Sequence, residues 1–422
     1  MIKNYVKIAF KVFMRRKFFT AISLFAISFT LVVLMVAVSI LDQLFAPMSP
    51  ETKQDRTLGV FAALMMGKQD INVGDVGYAF LTKFVKTLPD VEAVGMYSVS
   101  STVTSFKDGF EIKSQMKRTD GEYWKILDFK FLEGGPITDA DEDKANFVAV
   151  INEATREKFF GNEPALGKFI EADRQRFRVV GVVPNVPVYR DIPSADIWVP
   201  ISTSQDIGYR QNYVGGFKGL ILAHDRSDFD RIKHDLTSRL HSVPLPSSLF
   251  DTFDCVAETE FERSTREFMG ESYSTDAGPG GNAIRSYATE VIGLIILGAI
   301  LFMLLPTLNL VNINVSRIIE RASEIGVRKS FGASSRTLIG QFLVENMLIT
   351  CIGGIIGFLL SIMILTLLTN SGLIQYAEFH LNVRIFLYAL GLTFVFGIIS
   401  GVYPAWRMSR MHPVNALKGV VR

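Results

Sequence analysis

Four stretches of this chain carry no charged residue and approach or reach the length needed to cross a bilayer: Thr20 to Leu41, Val291 to Val311, Met347 to Leu368 and Ile385 to Tyr403. A hydrocarbon core takes roughly 20 apolar helical residues to cross. A Lys, Arg or Asp at its centre costs roughly 2.5–3.5 kcal/mol. Buried helices of a soluble core do not account for four such runs in one chain. The first run is too long for the apolar core of a secretory leader, and no small-x-small cleavage site follows it, so an uncleaved helix is expected. Composition agrees, with 49% of the 422 residues hydrophobic and 20% charged. That mixture suits apolar segments joined to an ordinary water-soluble domain.

The basic residues give the direction of insertion. Lys3, Lys7, Lys11, Arg15, Arg16 and Lys17 precede the first run, Arg317, Arg321, Arg328, Lys329 and Arg336 lie between the second and third, and Arg407, Arg410, Lys418 and Arg422 follow the fourth. Only Glu320 and Glu324 oppose them in those segments, whereas Asp42 to Glu290 holds 28 Lys plus Arg and 38 Asp plus Glu. Both termini and the middle loop are therefore expected in the cytoplasm, and the acidic domain outside. The fold class expected is an α-helical membrane protein with four transmembrane helices plus an α+β extracytoplasmic domain inserted between helices 1 and 2. In segments this is 1–19 amphipathic cytoplasmic helix, 20–41 first span, 42–290 outer domain with stalk, 291–311 second span, 312–342 cytoplasmic loop, 343–368 third span, 369–384 outer loop, 385–403 fourth span and 404–422 cytoplasmic tail.

Tyr5, Ile8, Val12 and Phe13 recur at helical spacing beside a Lys3, Lys7, Lys11 stripe, the pattern of a helix on the inner leaflet with its lysines at anionic headgroups. In the outer domain the pattern predicts a helix over 78–87, strands over 91–101, 147–152, 177–183 and 220–223, and a helix over 153–160 stopped at Gly161. A further helix over 227–240 has Ser227 as its N-cap and Phe229, Ile232, Leu236 and Leu240 on its apolar face. Glu258 to Gly270 reads as a charged helical stalk, and Ser272 to Asn282 as a flexible joint.

Catalytic chemistry finds no foothold. Gly161 to Lys168 has five residues between its glycines, a proline inside, and Phe169 where a phosphate-binding loop needs Ser or Thr for magnesium. A turn between a helix and a strand is expected there. His224, His234, His241, His380 and His412 have no ligand spacing, and Cys255 with Cys351 makes neither a disulfide framework nor a Cys-rich zinc site. Asp139, Asp141, Glu142 and Asp143 lack the glycine and terminal Glu of a calcium loop and read as a solvated loop. No cofactor, no metal and no nucleic-acid partner are expected.

The loop between the second and third runs is patterned beyond what a connector needs. Ile318, Ala322, Ile325 and Lys329 stack on one helical side, while Arg317, Arg321, Glu324 and Arg328 line another. Gly332 fits a helix stop, and Ser334 or Ser335 a cap for the next helix. A rigid helix with exposed charges beneath a membrane suits docking of a soluble partner. Pro306 would bend the second span next to it. Gly353-x-x-x-Gly357 and Gly397-x-x-x-Gly401 offer small-residue faces for helix packing, and no apolar run contains a charge to mark a substrate path.

Glu320-Arg321, Glu324-Ile325-Gly326-Val327-Arg328-Lys329 and Gly332-Ala333, with Gln341-Phe342-Leu343 and Glu345, resemble the signature of FtsX/MacB-type ABC transporter permeases. Gly401-Val402-Tyr403-Pro404-Ala405-Trp406-Arg407 and Pro413-Val414 match that family's ending, and Val148 to Asn152, Lys158 to Gly161, Leu166 to Lys168 and Phe177 to Val183 are similar to its periplasmic core domain. The resemblance spans nearly the whole chain and is most specific in the C-terminal third. Members of the MacB type carry a fused ATPase, and no segment here resembles one.

The resemblance implies a non-catalytic permease subunit in the bacterial cytoplasmic membrane, paired with a second permease (homo- or heterodimer) and with a cytoplasmic ABC ATPase. ATP-driven closure would move the loop bearing Arg317, Glu320, Arg321, Glu324, Ile325, Gly326, Arg328, Lys329 and Gly332. The helices would pass that motion to the outer domain for export or efflux. Membrane lipids, and an extracytoplasmic adaptor or outer-membrane component, are the remaining partners it leaves room for. Two alternatives stand beside it: an FtsX-like signalling permease that activates an outer hydrolase, and an ATPase-independent sensor or adhesin, which would not need the docking loop.

Overall fold

A computed structural model describes residues 2–15, 17–67, 71–107, 109–245, 249–269, 286–302, 304, 327, 331 and 334–409. The chain divides into two compact units, one built from 1–43, 292–373 and 378–422, the other from 44–291 and 374–377.

The first unit is helical. Helix α1 (Ile2–Arg15) and α2 (Lys17–Phe45) come from the N-terminal stretch. In α1, Ala9 and Phe13 are buried in a cluster with Ile27, Leu31, Met35, Ile349, Phe386 and Ala389, while Lys7, Phe10, Lys11 and Met14 stay exposed. Helix α2 and residues Leu343–Asn370 are long and apolar enough to cross a membrane; Ala288–Phe302 and Val383–Val395 are shorter apolar helices among the described residues. The hydroxyls of Ser23, Ser28 and Thr30 in α2 donate to carbonyls four residues back at 2.9, 2.7 and 2.7 Å, which satisfies them inside an apolar helix. Phe18, Phe25, Phe29, Ile355, Leu359 and Leu367 are exposed, the outward apolar surface that lipid would cover.

The second unit is α+β, with a sheet of 12 strands among the described residues. In chain order its elements are β1 (Thr57–Met66), β2 (Ile71–Gly74), α3 (Tyr78–Phe80), β3 (Ala93–Ser98), β4 (Ser101–Lys107), β5 (Phe110–Thr119), α4 (Gly121–Ile126), β6 (Glu133–Gly134), α5 (Asp139–Asp143), β7 (Val148–Asn152), α6 (Glu153–Phe160), β8 (Phe169–Ala172), β9 (Gln175–Val183), β10 (Ile197–Pro200), β11 (Phe217–Leu222), α7 (Phe229–Leu240), β12 (Thr252–Glu258) and α8 (Glu260–Phe268). Its spatial order is β12-β1-β11-β3-β5-β10-β7-β9-β6, with β2, β4 and β8 branching from β1, β5 and β9. β5 runs parallel to β10 and β7 parallel to β9. The other named strand pairs are antiparallel. β1 and β7 are near-continuous apolar runs buried on both faces, as central strands covered on each side must be.

Local chemistry explains several boundaries. The Asn152 side chain accepts from Thr155 N–H to start α6, and Gly161 at φ 63° ends it, a conformation open to glycine. The segment 161–168 is the expected turn from α6 to β8. In α7 the expected apolar face Phe229, Ile232, Leu236 and Leu240 is buried. Its start differs from expectation. Asp225 accepts from Ser227 N–H to cap a 3₁₀ turn Arg226–Asp228, and α7 follows with Asp228 as its N-cap residue and no side-chain capping hydrogen bond. The expected helix 78–87 widens after Phe80 into a π turn over Leu81–Val85, where Lys86 N–H donates to the Leu81 carbonyl five residues back. The acidic run 139–143 is a helix rather than a loop. A Thr138–Asp141 capping box starts it, and half-buried Glu142 accepts from Ser202 N–H at 3.0 Å. The stalk is shorter than expected: Thr259 caps α8, and the residues before it form β12 against β1.

Candidate functional site

Of the loop expected to dock a partner, Arg317, Glu320, Arg321, Glu324, Ile325, Gly326, Arg328, Lys329 and Gly332 lie outside the described residues, as does Pro306. Between helix α9 (Ala288–Phe302) and helix α10 (Ser335–Asn370), Val327 is helical and exposed. The end of the loop is fixed by Ser334, whose Oγ accepts from Thr337 N–H at 3.2 Å and so starts α10. Gln341 and Glu345 follow, both buried. The charge-free third run thus begins just after a buried carboxyl that belongs to the same helix.

The first small-residue motif packs within the chain. A Cβ added at Gly353 would lie 2.8 Å from Ile27 Cγ2, and one at Gly357 would lie 3.1 Å from Leu31 Cβ and 3.3 Å from Ser28 Cα. These glycines are where α2 and α10 approach. Gly354 does the same for Leu390 on helix α11 (Val383–Ser409). Gly397 and Gly401 also lie on α11.

The outer unit holds a cluster that sequence patterning does not single out. Arg190 donates to Glu51 at 2.7 Å and to the carbonyl of Ala46 at 2.8 Å, and both charged side chains are at most 6% exposed. Next to it, Asp191 receives Lys218 Nζ at 2.8 Å and Arg263 Nη1 at 3.5 Å. Lys117, fully buried in β5, donates to the carbonyls of Asp191 and Ile192 and lies 5.2 Å from the centroid of the Tyr97 ring. Arg263 also donates to Glu260 at 2.5 Å and lies 4.8 Å from the centre of the Phe61 ring.

The charges in this cluster hold one another in place. Burial alone would raise the Asp191 carboxyl, but Lys117, Lys218 and Arg263 outweigh it and hold it at about 2. Burial pushes Glu260 up to about 7 against the pull of Arg263, and pushes Lys117 down to about 8 against that of Asp191. Glu51, Gln54, Phe61 and Glu260 line a cavity of about 20 Å³, space for one water molecule. Among the described residues no group of three or more His, Cys, Asp and Glu side chains is arranged to hold a metal.

The MacB-like periplasmic core domain family matches residues 20–239, more than half of the chain, and the FtsX-like permease C-terminal family matches 296–413. The chain is 26% identical over 290 residues to a Bdellovibrio bacteriovorus macrolide export ATP-binding/permease protein MacB, covering 67% of this chain and 40% of that one. It is 26% identical over 337 residues to the uncharacterized ABC transporter permease YvrN of Bacillus subtilis, covering 80% and 78%. The chain thus spans less than half the length of the MacB relatives it matches. The crystal structure of the periplasmic region of MacB from Actinobacillus actinomycetemcomitans aligns over 50% of this chain and 92% of that one, at TM-score 0.37 and 19% identity. With one family model over residues 20–239 and another over 296–413, the chain belongs to the FtsX/MacB-type ABC transporter permeases.

Proposed function

We propose that this chain is the permease subunit of an ABC transporter, which couples ATP hydrolysis on a separate cytoplasmic ATPase to conformational change of its outer domain. The observation that carries this is the order of parts along the chain. An amphipathic basic helix and one long apolar helix come first, then a separately folded 12-stranded unit, then the matched C-terminal permease segment with its patterned basic loop. In this mechanism the chain crosses the membrane four times, through α2, the segment begun by α9, α10 and α11. Both termini and residues 312–342 face the cytoplasm, following the distribution of Lys and Arg.

Chemically the chain's task is mechanical. The charged faces of the loop would orient and select the ATPase, as complementary charges do at interfaces. The close Gly353–Ile27 and Gly357–Leu31 contacts would make α2 and α10 move as one body, so that displacement at the loop reaches α2. Two permeases, alike or different, would bracket two ATPases. The exposed Lys7, Lys11, Phe10 and Met14 of α1 would rest on the inner leaflet. Export or efflux is the expected outcome, with no substrate passing through a channel within the four-helix unit.

The test is reconstitution. The full chain in phospholipid nanodiscs should hydrolyse ATP only after addition of the ATPase with which it copurifies. Turnover by the permease alone, after removal of every copurifying nucleotidase, would contradict the assignment.

A further inference from the structure

The outer unit is entered by the residues after α2 and left by the residues after β12. Both paths meet at one loop. On the entry side, Arg190 grips the Ala46 carbonyl and the buried Glu51 carboxylate. On the exit side, Asp191 faces Arg263 of α8, which is itself tied to Glu260. Entry and exit also touch directly, since Phe45, the last residue of α2, packs edge-on against Phe261 of α8 with ring centroids 5.0 Å apart. On the third side the loop is bolted to the middle of the sheet. Lys117 of β5 donates to the carbonyls of Asp191 and Ile192, and Lys218 of β11 pairs with the Asp191 carboxylate. β11, β3 and β5 are adjacent strands near the centre of the sheet, and Tyr97 of β3 lies against Lys117.

We infer that Arg190 and Asp191 are the positioning residues of force transmission in the outer domain, locking the entering segment 45–51 and the leaving helix α8 to the central strands. This rests on the coupling mechanism proposed above and names the residues through which it would act. A surface salt bridge could not serve, because exposed pairs contribute about 0–1 kcal/mol and rearrange freely. Arg190, Glu51 and Lys117 are shielded from water, and Lys218 and Arg263 nearly so, while the Asp191 carboxylate is 40% exposed but held by three bases. Separating one of the buried partners leaves an uncompensated buried charge. Such a joint yields little under load, which a transmission point requires. Within the outer unit its geometry joins segment 45–51 and α8 to one point, so displacement of either is delivered to the same strands. The other charged groups facing the joint, Asp75, Glu267 and the Glu258–Arg266 pair, surround it and do not bridge entry to exit.

The experiment uses the full chain in nanodiscs with Cys351→Ser, and spin labels on exposed positions as two pairs, Ser49 with Lys113 and Glu267 with Lys113. The entry side is opened by the double variant Glu51→Gln/Arg190→Gln, which removes both charges together and leaves neither alone. The exit side is opened by Glu260→Gln/Arg263→Gln. Each native pair should give one narrow distance distribution. Each double variant should broaden its own pair about twofold while the unfolding transition of the sheet persists. With the copurifying ATPase and ATP plus vanadate, native distances should shift, and the variants should hydrolyse ATP without that shift. Distributions as narrow as native in both variants would overturn the inference. So would native-sized ATP-driven shifts in both variants. Narrow native distributions that broaden in the variants, but no ATP-driven shift in the native chain, would leave the lock standing and refute the coupling mechanism. If one double variant does not fold, the other decides the matter from its own side.

Discussion

Gly353 on α10 and Ile27 on α2 are so close that the smallest side chain at 353 would collide, with its Cβ 2.8 Å from Ile27 Cγ2. Lipid tails are as apolar as isoleucine, so this contact is held by close packing rather than by exclusion of water. Gly391 on α11 has nothing within 4 Å of its Cβ position. Gly353→Leu should therefore lower the thermal stability of the purified protein by roughly 1–3 kcal/mol, the usual cost of overpacking. Gly391→Leu should leave it unchanged. Equal behaviour of the two variants in a detergent melting assay would mean that α2 and α10 do not meet at this glycine.

Glu260 gives the outer domain a measurable pH dependence. Its folded carboxyl is raised to about 7 from an ordinary 4.5. The folded state therefore holds a proton that the unfolded chain has released, between those two values. Stability from this group rises as pH falls through 7 and is complete below 4.5; above 7 the cost of the buried charge is fully present. Glu260→Gln should flatten that slope, worth on the order of 1–3 kcal/mol at pH 8 relative to pH 4.5. Denaturant unfolding followed by fluorescence of the buried Trp124 and Trp198 reads it. A wild-type profile that rises with pH from 5 to 7, unchanged in the variant, would put the titration elsewhere.

Topology is open to labelling in intact cells. In a Cys351→Ser background, an impermeant maleimide should modify a cysteine placed at Gly280 and spare one placed at Ser334, the cap of α10. Modification at Ser334 without permeabilisation would refute the four-span arrangement.

The parts of this protein that were legible in its sequence are those set by neighbours along the chain. The β7–α6 unit could be read from the apolar run 148–152 followed by Asn152 as cap and Gly161 as stop, and the structure has each of them. The apolar face of α7 could be read from its spacing alone. The Asp225 cap was missed because Ser227, two residues on, is an equally good cap by type, and only the fold decides which oxygen reaches the helix end. β12 has a weak strand signal because Asp254, Glu258 and Glu260 interrupt the short apolar run Cys255 to Ala257, and the charged segment that follows reads as a stalk. The cluster around Asp191 was illegible for a different reason. Glu51, Lys117, Arg190, Lys218 and Arg263 are scattered over more than half of the chain, and each alone has the look of a surface charge. Only the strand order β11-β3-β5 brings their bases and acids together.

In the proposed mechanism residues 312–342 dock an ATPase. Glu324 and Arg328 are four apart, so if they pair along an exposed helix they add only about 0.2–0.5 kcal/mol to folding. The double variant Glu324→Lys/Arg328→Glu and the single variant Gly326→Trp should accordingly reach the membrane in normal amounts. The decisive measurement is pull-down of the copurifying ATPase with each variant, normalised to permease in the membrane fraction. Both variants should lose most of the bound ATPase; native levels of ATPase on both would refute docking and leave the loop a mere connector.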